Sequence, residues 1–188
     1  MDTWYKDTRN GFLAYRVPKE DLQLMEQTYL EKFPKSSKLN DKTVVDDPNS
    51  RKAGIIGEIV FDRYTDGEAD WVASYNKSVP YDFIYKGVKV DVKCKKRGVI
   101  PLAKFEASIY EYQSAEYFSE VENYFFMSTI PPFDSVWLCG YSSKESWLAN
   151  PNIVLWKKGV IDPTNHKEFV ADTWSVQYKY LPQPTLKP

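Results

Sequence analysis

The sequence predicts an α/β fold, a single domain with a central mixed β-sheet flanked by helices, and three observations carry that expectation. Stretches 18–33 and 50–64 repeat apolar residues at helical spacing. From Tyr81 onward the period changes to two, and helical and strand-like runs interleave along the chain. With 188 residues, one domain is expected. It is placed at 1–181, followed by a flexible tail at 182–188 that carries Pro182, Pro184 and Pro188.

The elements follow in order. Pro18 and the acids of Lys19-Glu20-Asp21 suit a first helical turn. Leu22, Met25, Tyr29 and Phe33 then line one face of a helix that stops before Pro34. Lys35 to Pro48 is polar and reads as loop. Asn49 or Ser50 can cap a second helix reaching Tyr64, with Asp66-Gly67 as its exit. Tyr81–Arg97 reads as a hairpin, and Glu106–Tyr112 alternates like a strand. Further strands are expected at Tyr124–Ile130, Ser135–Tyr141, Asn152–Lys157 and Asp172–Tyr180, with a short helix over Ser143–Leu148.

Composition restricts the chemistry. One histidine and two cysteines cannot close a four-ligand Cys/His zinc site or hold an iron–sulfur cluster through cysteine. A Ser-His or Cys-His nucleophile would depend on His166 alone, which sits in a polar Thr-Asn-His-Lys run. Chemistry by carboxylates and lysines is what remains. The 25 basic and 26 acidic residues nearly balance, which argues against a wholly basic coat protein but not against a local basic patch. There is no apolar leader and no apolar run approaching the ~18 residues of a membrane span, so a soluble, cytoplasmic protein without membrane contact is expected.

The most informative segment is Tyr81–Lys93. With Lys86-Gly87 as a two-residue turn, Tyr85 pairs with Val88 and Phe83 with Val90. One face then carries Phe83, Tyr85, Val88, Val90 and Val92, and the other Asp82, Ile84, Lys89, Asp91 and Lys93. A one-residue slip would mix the two sets, so the pattern selects the register. In that register Asp82 faces Asp91 at about 5 Å between Cβ atoms, where like charges repel. A raised pKa, a cation or a bound metal must offset the repulsion. Lys93 follows on the same face, ~6.6 Å along at ~3.3 Å per residue. Oxygen ligands of this kind suit Mg²⁺ or Mn²⁺ better than zinc. The competing reading is an exposed polar face on which Lys89 or Lys93 bridges Asp91.

The helix over 50–64 adds a third acid. Ile55, Ile56, Ile59, Val60 and Phe61 make it largely buried, yet Glu58 sits among them. Gly54 and Gly57 each cost a helix about 1 kcal/mol relative to alanine, which points to a close approach. The competing reading places Glu58 in solvent, paired with Arg63 or Arg51.

In combination, Gly54-x-x-Gly57-Glu58, then Asp82, then Asp91-Val92-Lys93 resembles the PD-(D/E)xK nuclease superfamily. The likeness covers residues 50–97 by motif and extends loosely to about 140 by element order. It implies a restriction-endonuclease-like core and metal-dependent hydrolysis of DNA phosphodiester bonds. Asp82 and Asp91 would ligate Mg²⁺, which Mn²⁺ can replace, with Glu58 close by or ligating through water. Lys93 would orient or help deprotonate the attacking water. Tyr81 stands where the superfamily name has proline, and Pro80 lies one place earlier. Gln113-Ser-Ala-Glu-Tyr117 resembles the Gln-xxx-Tyr element of the RecB-like exonuclease branch, which makes Gln113 a further candidate catalytic residue.

DNA phosphates would meet Arg51 and Lys52 near a helix N-terminus and Lys95, Lys96 and Arg97 after the catalytic strand. A solvated strand end is the plainer account of the same charges. Cys94 is expected on the apolar face as an inert core residue. Relatives of this kind often act as homodimers on duplex DNA, and endo- and exonucleolytic cleavage both remain open. The alternative function is a catalytically inactive nuclease-like module binding nucleic acid or a protein partner.

Overall fold

The structure, a computed structural model, describes residues 3–33, 47–72, 79–111, 120–162 and 168–185. In chain order the elements are β1 (Trp4–Lys6), β2 (Leu13–Arg16), α1 (Lys19–Lys32), α2 (Pro48–Tyr64), β3 (Asp70–Trp71), β4 (Phe83–Tyr85), β5 (Val88–Lys96) and β6 (Glu106–Tyr110). They continue with β7 (Asn123–Thr129), β8 (Ser135–Ser143), the one-turn α3 (Lys144–Leu148), β9 (Val154–Trp156), β10 (Thr173–Gln177) and a 3-10 turn at Tyr178–Tyr180. The fold is α/β, as expected, with a mixed central sheet.

Seven strands form that sheet in the order β1-β2-β8-β7-β5-β4-β3. Only β5 and β7 run parallel among these neighbours. One mixed sheet was expected, but the structure has a second: β6, β10 and β9 form an antiparallel sheet of their own. β1 and β2 were not expected either. They are short, and β2 enters the sheet by pairing with β8 over 100 residues later.

Each sheet face has its own core. On one side α1 and α2 cover Leu13, Val90, Val92, Phe125, Met127 and Leu138 through Met25, Ile56, Ile59, Val60 and Phe61. On the other side Phe12, Tyr124, Phe126, Trp137 and Cys139 meet Ala107, Ile109, Trp147, Val176 and Tyr178. Trp137 also donates from Nε1 to Asp7 Oδ2 at 2.8 Å, which ties the start of the chain to β8.

α2 begins two or three residues earlier than the sequence suggested. Asp47 is its cap, accepting from Asn49 N at 3.0 Å, and Pro48 takes the first helical position, where a missing N–H costs nothing. Asp66 (φ 57°) and Gly67 (φ 73°) turn the chain out of the helix. Of the two helix glycines, only Gly57 is a close approach. A Cβ there would lie 2.4 Å from Cys94 Cβ, whereas at Gly54 nothing lies within 4 Å.

The expected tail is anchored as far as Thr185. Gln183 Nε2 donates to the carbonyls of Cys139, Tyr178 and Leu181 at 3.0–3.1 Å, and Pro182 O accepts from Tyr141 N. Gly140 permits this, since a Cβ there would lie 2.8 Å from Leu181 Cβ. Among the described residues, no helix is long and apolar enough to cross a membrane.

Candidate active site

The β4–β5 hairpin has the expected register: Phe83 faces Val90, Ile84 faces Lys89 and Tyr85 faces Val88. Lys86 (φ 52°) and Gly87 (φ 80°) both take left-handed conformations, as a type I′ turn requires. Phe83, Val90 and Val92 pack under α2, with Cys94 continuing that face against Gly57. Burial pushes the Cys94 thiol well above its ordinary range, consistent with an inert core cysteine.

Asp82 departs from the expected geometry. The ladder stops at Phe83, and Asp82 N donates to the carbonyl of Val90, the residue Phe83 already faces. Asp82 is therefore one step out of register and is not the ladder partner of Asp91. Its carboxylate accepts from Val92 N at 2.7 Å through Oδ2. The expected repulsion survives the slip. Burial pushes the Asp82 carboxyl well above the usual range, and the charges of Asp91 and Glu58 push it further.

Asp91 lies at the sheet centre with 3% of its surface exposed. Lys93 Nζ is 2.8 Å from its Oδ2, which is the ion pair of the plainer reading. The contact is an ion pair without hydrogen-bond geometry, and Oδ2 itself is buried. Lys89, the other proposed bridge, is held instead by Glu120 at 2.7 Å. In the parallel ladder Asp91 faces Tyr124, whose hydroxyl is also buried without a hydrogen bond. Burial and the Asp91 charge raise that hydroxyl to about 12.

Glu58 faces neither solvent nor the arginines proposed for it. Its side chain is 19% exposed and is paired at 3.2 Å with Lys32, from the last turn of α1. Burial raises its carboxyl, Lys32 and Lys93 oppose that rise, and Asp91 adds to it. The site thus joins three buried or half-buried acids to two lysines. α2, the bend before β4, β5 and α1 each supply part of it.

These residues were tested against a hard divalent ion. Among the described residues no three Asp, Glu, His or Cys side chains stand together to hold a metal. Two carboxylates are enough for Mg²⁺, which usually keeps several waters and takes phosphate oxygens as further ligands. The buried Asp91 Oδ2, ion-paired to Lys93 but without a hydrogen bond, and the raised Asp82 and Glu58 fit such an ion, which Asp82 and Asp91 would hold.

The proposed DNA contacts separate into two groups. Arg51 stacks on the Phe33 ring at 4.5 Å and Lys52 pairs with Glu26 at 2.5 Å, so both are engaged with α1 or the residue after it. Lys96 pairs with Asp47, the cap of α2. Lys95 and Arg97 turn to the other face, where both donate to the Glu106 carbonyl, at 3.2 and 2.9 Å. Burial, then the Arg97 charge, lowers the Lys95 ammonium to about 7. Gln113 lies outside the described residues, as does His166.

Sequence reasoning missed Lys32 and Tyr124. Nothing local marks Tyr124, because only the β5–β7 register brings it to Asp91. Lys32 carried a faint signal as the sole base in the last turn of α1. No protein-family model matches the sequence, and no curated protein matches it.

Proposed function

We propose that this protein is a metal-dependent nuclease of the PD-(D/E)xK type that hydrolyses DNA phosphodiester bonds. One observation carries the reading. A buried Asp91, with an oxygen that makes no hydrogen bond, shares a strand face with Lys93 and lies within electrostatic reach of Asp82 and Glu58. Acids whose charges raise one another require a cation, and lysine alone leaves that requirement partly unmet. The acid-bearing helix, hairpin and parallel neighbour strand also follow the order the resemblance implies.

Asp82 and Asp91 would hold Mg²⁺ or Mn²⁺. When bound, the ion lowers the pKa of a ligated water and offsets charge on the phosphoryl oxygens. Asp82 is held for this role by Val92 N, which fixes one oxygen and leaves the other. The Lys93 ammonium, 2.8 Å from Asp91, would orient the attacking water and donate to a phosphoryl oxygen. Glu58, steadied by Lys32, is the group suited to take part through a water.

A second reading has its own support. The Asp91–Lys93 pair already balances one charge internally, as a catalytically inactive module binding nucleic acid or protein would have it. Cleavage of linear, circular and branched DNA with Mg²⁺ or Mn²⁺, beside Mn²⁺ calorimetry, separates the two. The nuclease reading expects metal-dependent cleavage that is lost in Asp91→Ala and Lys93→Ala. Undiminished cleavage in both variants would place the chemistry elsewhere. No heat with millimolar Mn²⁺ and no cleavage would favour the inactive module.

A further inference from the structure

Beyond Lys93 the same face of β5 runs into a cavity that hydrolysis does not use. Its volume is about 740 Å³, and its walls include Lys95, Arg97, Phe105, Glu106, Ser108 and Phe169. A smaller cavity of about 220 Å³ shares Lys95 and Ser108 with it and reaches Lys93. The second sheet, through β6, forms the opposite wall.

Among the described residues the cations of this cavity form no ion pair, although Asp162 also lines it and its charge and that of Glu106 act on Lys95. Among the described residues Lys95 Nζ donates only to the neutral Glu106 carbonyl, at 3.2 Å. Arg97 donates to that carbonyl and to Tyr178 Oη at 3.0 Å, and its Nε is buried without a hydrogen bond. The guanidinium is fixed beside two rings, Phe105 at 5.2 Å and Tyr178 at 5.8 Å. The Glu106 carboxylate is not ion-paired to them and accepts from Ser175 Oγ at 2.8 Å. Two neighbouring cations without an ion-paired acid favour an anion between them. Phe105 and Phe169 add apolar ring surface beside that anion.

A cavity of this size admits one nucleotide unit. Bases in a duplex are held inside the stack, so the nucleotide must be unpaired. We propose that the cavity is a subsite for one unpaired nucleotide of single-stranded DNA. Its phosphate sits between Lys95 and Arg97, and its base lies against Phe105 and Phe169. Lys95 is ~6.6 Å along the strand from Lys93 at ~3.3 Å per residue, so the subsite flanks the phosphodiester offered to Asp91 and Lys93. The subsite rests on the nuclease reading for that placement.

The test is equilibrium binding in EDTA, without cleavage, by fluorescence anisotropy of a labelled oligothymidylate and a blunt duplex. The full-length protein is expected to prefer the single strand. Lys95→Gln, which keeps a donor for the Glu106 carbonyl, should weaken that binding about tenfold and reduce the salt slope by about 0.7, one phosphate contact on a single strand. Ser108→Trp should fill the cavity and weaken it similarly. On the unmodified protein, thymidine 5′-monophosphate should displace the oligonucleotide about tenfold better than thymidine or inorganic phosphate alone. Equal binding of duplex and single strand, unchanged binding by Lys95→Gln, or no advantage of the nucleotide over phosphate overturns the subsite. A protein that binds as expected but never cuts DNA overturns the nuclease reading alone. One that cuts but fails these binding tests overturns the subsite alone.

Discussion

β5 carries two opposite electrostatic problems along one face. At its first half burial and the Asp91 charge raise the neighbouring Asp82 and Glu58 carboxyls, with Lys93 and Lys32 as partial relief. At its far end Lys95 and Arg97 repel each other, and among the described residues their bonded partners are carbonyl and hydroxyl oxygens. Asp7 shows what full compensation looks like. Two hydrogen bonds from the Arg9 side chain, at 2.7 and 2.9 Å, and one from Trp137 hold its carboxyl down to about 2. A satisfied buried charge moves towards its ionised form, whereas Asp82 and Glu58 beside β5, and Lys95 on it, are pushed towards neutrality. On the proposed reading the acidic end takes a cation and the basic end an anion.

The sharpest way to break this contrast is Asp82→Asn. The amide oxygen still accepts from Val92 N, so the bend survives while the repulsion with Asp91 and Glu58 is removed. DNA cleavage should fall on the order of 10²–10³-fold, and thermal melting should show a stability gain of about 1 kcal/mol. Lower activity with lower stability would make Asp82 a structural group only.

Gly57→Ala tests the packing beneath the acids. Helix propensity alone predicts a gain of about 1 kcal/mol. The 2.4 Å approach to Cys94 Cβ predicts instead a loss of about 1–3 kcal/mol in urea unfolding. Cys94→Gly should recover part of that loss in the double mutant, because it removes the clashing atom.

The basic end should respond to pH. Lys95 has its ammonium lowered from 10.5 to about 7, facing Arg97 from its own strand, Glu106 from β6 and Asp162 after β9. A bound phosphate favours the charged form, so binding takes up a proton between those two values. Affinity for the oligothymidylate should therefore weaken as pH rises above about 7, by at most about tenfold per pH unit. Anisotropy titrations on Lys95→Gln should lose that dependence.

The smallest effect belongs to Asp7. Its carboxyl is lowered, so its contribution is present above the ordinary 3.8 and lost as pH falls towards about 2. Discounted for the 59% exposure of the Arg9 side chain, it is worth about 1–2 kcal/mol. Urea melts at pH about 4.5 and 2.5 should show that difference in the parent protein and not in Asp7→Asn.

The hairpin was legible because its two faces differ in polarity at every position, so register follows from the residues alone. α2 was legible for a similar reason, although Pro48 and Asp47 set its start rather than Asn49 or Ser50. The slip at Asp82 was not, since it depends on how the chain enters β4. Trp4–Lys6 and Leu13–Arg16 are too short to show a period, and they are strands because β8 offers them an edge. Glu58 could be suspected from its apolar neighbours, but Lys32 reaches it only through the packing of α1 on α2. The cavity at Lys95 was hidden because β6 and β10 form a separate sheet, a fact of chain crossing and not of composition.

The bond from Trp137 to Asp7 spans 130 residues, and β2 has no neighbour in the sheet but β1 until β8 is present. Synthesis from the N-terminus therefore releases the first strands long before they have an edge to join. Closing so long a loop is entropically slow. β1 and β2 should therefore join the sheet only after β8 has formed, which leaves their backbone edges unpaired until late in folding.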